Sequence, residues 1–248
     1  YKRQDHDLRA TTELGDLEKM DVLLIATPAQ HLRTLCFNLS KYIENIPLVI
    51  CSKGIEDITG KLLSEVITDE LPESSVAVLS GPTLAPEIAK NVPAAITLAS
   101  PDSKFIEQLT SALGTKKFRP YGSNDIIGAQ VGGAVKNVLA IASGIITGKE
   151  LGGSARSALI TRGMAEMIRI GCALGGHSNT LMGLSGLGDL VLTCTSKISR
   201  NMSLGIELGK GIPLENILSS RTSVAEGIST SSAVCLLAKK LNQEMPIS

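Results

Sequence analysis

The chain has 248 residues with 24 basic and 24 acidic side chains, so it is long enough for one or two buried cores and lacks the basic excess of a nucleic-acid binder. Hydrophobic residues make up 43% and charged residues 19%, which excludes a disordered chain. Aromatics are only 2%, too few for base-stacking platforms or a membrane aromatic belt. Five scattered cysteines (Cys36, Cys51, Cys172, Cys194, Cys235) form no CxxC pair and read as buried free thiols of a reducing compartment. No apolar run reaches the roughly 18 residues that cross a bilayer, so no integral membrane protein is expected. The start lacks an initiator Met and a signal region, and the end at Ser248 follows a helical pattern. A fragment of something longer is therefore expected.

Short apolar runs and amphipathic segments alternate through the first half. Strands are expected at 21–27 (DVLLIAT), 47–51 (PLVIC), 75–79 (SVAVL), 94–99 (AAITLA) and 117–121 (KFRPY). Helices are expected at 29–43, 59–70, 83–90 and 102–113, with Thr83 capping the third. This alternation predicts an α/β fold with a doubly wound, mostly parallel sheet. Beyond Gly122 the strand signal ends and glycine becomes frequent. Helices rich in small residues are expected at 124–147, 154–174, 199–208 and 223–242, which predicts an all-α second domain packed closely or approached by a ligand.

Three expected strands end in residues suited to a ligand crevice: Thr27-Pro28, Ser52-Lys53-Gly54 and Ser80-Gly81-Pro82-Thr83. Ligands of open α/β sheets bind beyond the carboxyl ends of the strands, although ordinary turns read the same way. No strand is followed by the glycine loop of a dinucleotide site. The glycines at 183–188 (GLSGLG) lie in the helical half, so any pyrophosphate loop is expected upstream of Tyr1. Lys136, in the apolar run 130–141, has no acid three or four residues away. It suits either a proton-transfer group with a depressed pKa or a lysine snorkelling to solvent. Asp189, in an apolar stretch, suits either a partner for a lysine or a helix cap. Ser199-Arg200-Asn201 opens a helix and suits either a phosphate clamp or a plain capped surface helix. His6, His31 and His177 stand apart with no metal-ligand spacing, and surface or loop positions are expected for them.

From about Ala10 to Ser248 the chain resembles the NAD(P)-dependent glycerol-3-phosphate dehydrogenases of the bacterial, lipid-synthesis type. The resemblance is carried by SKGIE at 52–56, SGPT at 80–83, GAQVGGAVKNVLAIA at 128–142 and ALITRGMAEM at 158–167. GLSGLGDLVLTCT at 183–195, SRN at 199–201 and VAEG at 224–227 complete it. It implies a Rossmann-like domain over 1–122, without its first βαβ unit, and a helical substrate domain over 123–248, without its closing helices. It also implies NAD(P)H as cofactor and hydride transfer between dihydroxyacetone phosphate and sn-glycerol 3-phosphate, supplying phospholipid synthesis in the cytoplasm. A homodimer that binds no nucleic acid is implied as well.

Residue by residue, the resemblance implies that Lys136 exchanges the proton of the C2 oxygen, with Asp189 beside it. Lys53 would touch substrate and cofactor. Gly81 and Thr83 would line the substrate pocket, and Ala85 the cofactor. Ser199, Arg200 and Asn201 would hold the phosphate, with Arg200 also reaching the cofactor. Val224 and Glu226 would contact the cofactor, and Thr193 and Asn137 the substrate. A related dehydrogenase acting on another hydroxy acid, or a non-enzymatic fragment, stays open beside this reading.

Overall fold

The structure, a computed structural model, describes residues 8–221 and 226–248. The first half builds five strands, β1 (Leu23–Ile25), β2 (Leu48–Ile50), β3 (Val76–Ser80), β4 (Ala94–Ala99) and β5 (Phe118–Ser123), lying side by side in that order. β1, β2 and β3 are parallel to one another, as are β4 and β5, whereas β3 and β4 are antiparallel. The sheet is therefore mostly parallel, with one reversal. At that reversal lies α3 (Ala85–Ala89), which buries none of its residues and so does not pack across the sheet as a crossover helix.

All three residues of β2 are fully buried, as the continuous run of Leu48, Val49 and Ile50 requires of a strand covered on both faces. On one face, α1 (Leu32–Leu39) and α2 (Leu63–Glu70) pack Leu32, Cys36, Val66 and Ile67 against Leu23, Ile25, Leu48 and Ile50. On the other, α4 (Ser103–Leu113) sets Phe105 and Leu109 against Val49, Ala77 and Leu98. Helices on both faces make the sheet doubly wound.

No strand follows Ser123 among the described residues. The helix α5 (Ile126–Gly148) runs through the centre of the second half. Around it lie α6 (Gly152–Ala173), α7 (Ser178–Leu181), a π turn at Leu184–Gly188, α8 (Asp189–Thr195), α9 (Arg200–Gly209), α10 (Leu214–Ser219) and α11 (Glu226–Lys240). Asp125 caps α5 by accepting from Gly128 N at 2.8 Å, and its second oxygen accepts from His177 N at 2.8 Å, which ties the entry of α5 to α7.

The contact between α5 and α9 is made by backbone. A Cβ added at Gly144 would stand 2.8 Å from the Cα of Gly205, and one at Gly148 would stand 3.0 Å from the Cα of Gly209. Residues four apart lie on one face of a helix, so Gly144 and Gly148 form a groove that accepts the matching pair on α9. The glycines that weaken each helix alone are the condition for this approach.

Several expectations change. Residues 29–43 hold a 3₁₀ turn at Ala29–His31 followed by the shorter α1. Thr83 does not cap α3, whose N-cap is Leu84; the Thr83 hydroxyl donates to the Gly81 carbonyl at 3.5 Å instead. Only Cys36 and Cys194 are buried, while Cys51 is half-buried and Cys172 and Cys235 are exposed. By length and composition α5 is apolar enough to cross a membrane, which corrects the count of apolar runs; 67% of that window is buried inside the fold, where the helix serves as core. His31 and His177 are exposed, as expected, and His6 lies outside the described residues.

Candidate active site

The turns after β1 and β2 meet at the carboxyl edge of the sheet. The Ser52 hydroxyl donates to the carbonyls of Thr27 and Ile25, the latter at 3.2 Å, so the segment carrying Lys53 is fixed to the end of β1. α5 approaches the same edge. A Cβ at Gly133 would stand 2.8 Å from Ser80 Oγ and 3.5 Å from Lys53 Cγ, and one helical turn later α5 presents Lys136.

Lys53 and Lys136 converge on Asp189. Lys53 Nζ donates to Asp189 Oδ2 at 2.6 Å, and Lys136 Nζ donates to Asp189 Oδ1 at 2.6 Å. Lys136 also donates to Thr193 Oγ1 at 3.1 Å, and the Thr193 hydroxyl donates to the Asp189 carbonyl at 2.6 Å. Asp189 is 1% exposed and Lys136 7%, so one carboxylate faces two ammonium groups in a largely dry setting. Lys136 therefore does not snorkel, and Asp189 does not cap its helix. It is the first residue of α8, which leaves the π turn with its carboxylate aimed at the two lysines. Burial, and next the positive charge of Lys53, push Lys136 down to about 8, while Asp189 opposes them. A lysine so placed exchanges its proton near neutral pH.

The other expected residues fall at different distances from this cluster. Pro82 abuts the end of the π turn, where a Cβ on Gly188 would stand 3.3 Å from Pro82 Cγ. This sets the half-buried Thr83 and the buried Gly81 beside the run into Asp189. The space of a Cβ at Gly81 is taken by Ile96 of β4, 3.1 Å away, so the missing side chain serves strand packing as well. Ala85 is exposed at the start of α3.

Ser199 caps α9, accepting from Met202 N at 3.3 Å. Asn201, 8% exposed, accepts from Gly227 N at 3.1 Å through Oδ1, and a Cβ on Gly227 would meet the Asn137 carbonyl at 2.8 Å. The start of α9, the start of α11 and the residue after Lys136 are thus contiguous. Arg200 is exposed on the first turn of α9. Glu226, half-buried at the start of α11, has its carboxyl raised by burial against the opposing pull of Arg200, Lys53 and Lys136. Val224 lies outside the described residues.

The structure adds one residue. Ser80, the last of β3, is 2% exposed, and its Oγ has no hydrogen-bond partner among the described residues. It lies inside a motif read for its glycine and threonine, and its position at a strand end was the available signal.

The family model for the C-terminal domain of NAD-dependent glycerol-3-phosphate dehydrogenase matches residues 125–248, and the model for its N-terminal domain matches residues 3–106. A glycerol-3-phosphate dehydrogenase, NAD(P)+, of Parvibaculum lavamentivorans is 53% identical over 242 residues, covering 97% of this chain and 73% of the relative. Its counterpart in Rhodospirillum rubrum is 52% identical over 245 residues, covering 98% of this chain and 70% of the relative. The crystal structure of glycerol-3-phosphate dehydrogenase from Coxiella burnetii superposes with a TM-score of 0.91 at 40% identity, over 94% of this chain and 72% of that one. By sequence along both halves and by fold, the chain belongs to the NAD-dependent glycerol-3-phosphate dehydrogenase family.

Proposed function

We propose that this chain interconverts dihydroxyacetone phosphate and sn-glycerol 3-phosphate by hydride exchange with NAD(P)H, and that Lys136 carries the proton. The observation that carries this is the Lys53–Asp189–Lys136 cluster, with Asp189 and Lys136 buried and Lys53 half-buried, at the carboxyl edge of the sheet. In reduction the Lys136 ammonium donates to the oxygen of the C2 carbonyl. In oxidation the neutral amine takes that proton back. Lys53 polarises the same carbonyl, and Asp189 holds both ammonium groups in register. Ser199, Arg200 and Asn201, at the start of α9, hold the phosphate, so that binding energy at the unreacting end fixes C2 at Lys136. Gly81, Thr83, Thr193 and Asn137 complete the substrate pocket.

The residues present fit a nicotinamide cofactor. Strand-end turns, the buried Ser80 hydroxyl and the half-buried Glu226 offer polar groups near Lys53 and Lys136, and no metal-type ligand set occurs among the described residues. When bound, the cofactor supplies the hydride. Lys53, Ala85, Arg200, Val224 and Glu226 are assigned to its binding. Residues 1–122 are assigned as the remainder of the dinucleotide domain and 123–248 as the helical substrate domain. A homodimer in the cytoplasm that feeds phospholipid synthesis is the corresponding setting, and the free thiols suit a reducing compartment.

The test follows NADH and NADPH absorbance with dihydroxyacetone phosphate for the wild type and Lys136→Ala. Turnover is expected in the wild type, with a loss of about 10²–10⁴ in kcat in the variant. Reduction should fall, and oxidation rise, as pH passes through about 8. A folded wild type without turnover overturns the substrate assignment, and turnover that survives Lys136→Ala overturns the mechanism.

A further inference from the structure

Lys53 has to hold its ammonium 2.6 Å from a carboxylate in the other half of the molecule, yet it stands on an irregular loop. The loop from β2 to α2 contains Gly54 at φ +149° and Gly60 at φ +75°, conformations that contribute little order of their own. Among the described residues its one bridge is Ile55 to Leu62, beside backbone bonds from Glu56 N to the Lys61 carbonyl and from Gly60 N to the Glu56 carbonyl. Ser52 fixes the near end of this support to β1, and the stretch beyond Lys53 needs a second hold.

That second hold comes from the turn after β1. Gln30 grips the loop backbone twice: Nε2 donates to the Ile55 carbonyl at 2.8 Å, and Oε1 accepts from Asp57 N at 3.0 Å. Three residues on, Arg33 holds the intervening side chain. Its Nε and Nη2 donate to the two oxygens of Glu56 at 2.8 and 2.9 Å, a planar two-point grip. The rest of the guanidinium is anchored on α2 by Glu70 at 2.7 Å and Asp69 at 3.1 Å. Glu56 is 7% exposed and also accepts from the Thr59 hydroxyl; Arg33 holds its carboxyl below the usual range. From the far side, Lys240 of α11 donates to the Thr59 carbonyl at 3.1 Å.

We propose that Gln30, Arg33 and Glu56 form a clamp that positions Lys53 against Asp189, so that residues outside the reacting centre set its geometry and charge. None of the three touches Lys136, Asp189 or Thr193; they act through Lys53. The inference rests on the assignment of Lys53 and Lys136 to the reacting centre. Lys136 is faced by Lys53 from the loop, by Asp189 and Cys194 from α8, and by Glu226 from α11; burial holds it down first, and the nearby cation Lys53 adds to that. Loosening the clamp therefore frees Lys136 from a repulsion and raises the pH at which it loses its proton.

The experiment compares Glu56→Gln, Gln30→Met, Lys53→Met and the double variant Glu56→Gln/Lys53→Met in dihydroxyacetone phosphate reduction, across pH, with a thermal melt of each. Arg169→Met is the control, because its guanidinium on α6 donates to the Glu244 carbonyl, away from the loop and the clamp. Glu56→Gln and Gln30→Met should each lower kcat/KM by up to about 100-fold, as displacement of a reacting group does, and should move the alkaline limb upward. In the Lys53→Met background Glu56→Gln should cost almost nothing more, since the clamp then has nothing to position. Arg169→Met should keep the wild-type limb. Equal losses from Glu56→Gln in both backgrounds, or limbs that stay in place for both Glu56→Gln and Gln30→Met, overturn the clamp. A Lys53→Met variant with wild-type kinetics overturns the assignment of Lys53 itself, an outcome distinct from failure of the clamp.

Discussion

Replacing Asp189 by Asn keeps the side-chain shape but removes the charge that two lysines share, each at 2.6 Å. Removing one partner of a buried ion pair costs about 3–5 kcal/mol. The native state then has one escape. Lys136, already pushed down to about 8, loses the partner that held it up and sheds its proton at a lower pH still. At pH 7 this proton-linked share of the loss cannot exceed about 1.4 kcal/mol, the free energy of the one unit between 7 and about 8. The unfolded lysine, near its ordinary 10.5, keeps its proton throughout this range. Below about 8, then, the variant's native state binds fewer protons than the wild type's, and its extra destabilisation is in force. As pH rises past about 8, both native states have lost the proton and that share disappears. Urea unfolding of both proteins by circular dichroism, at about pH 7 and pH 8.5, measures the gap. It should narrow by about 1 kcal/mol, and the folded variant should reduce dihydroxyacetone phosphate poorly at pH 7 because its proton donor is already neutral. A gap that is constant or widens with pH, or a variant as stable as the wild type at pH 7, refutes the reasoning.

Two further outcomes follow from the packing. Gly144→Ala puts a methyl group 2.8 Å from the Cα of Gly205, and should destabilise the fold by about 1–3 kcal/mol, read as a fall in the urea midpoint. Wild-type stability would mean that α5 and α9 part more easily than the seam implies. In thiol alkylation at neutral pH, the exposed Cys172 and Cys235 should label first. Cys36 and Cys194, buried and pushed up to about 11 and about 12, should label only after unfolding; early labelling of Cys194 would contradict its burial behind Lys136.

The sheet was legible because each of its strands is a local signal: a short apolar run such as 47–51 has the same meaning wherever it sits. The long helices were legible for the same reason. Residues 175–198 were not, because Leu181, Leu190 and Cys194 are spread over elements of four to seven residues, too short to show a period. The reversal between β3 and β4 also escaped, since direction depends on where the connection packs and not on what it contains. At the site, Lys136 and Asp189 stood out as charges in apolar runs, but their pairing spans 53 residues and only the fold brings it about. Arg33 gave no signal at all: its partners lie 23, 36 and 37 residues away, and locally it is one more basic residue on a helix.

The seam between α5 and α9 has a meaning for the substrate as well as for stability. Lys136 rides on α5 and α9 opens after Ser199, so under the proposed assignment the span from proton donor to phosphate is read off two helices whose main chains touch. Two backbones in close contact leave no side chain between the helices whose change of rotamer could alter their spacing. If Lys136 and the start of α9 hold the two ends of the substrate as proposed, the pair is a gauge of molecular length, set for one spacing between carbonyl and phosphate. The gauge is set by residues that carry no side chain.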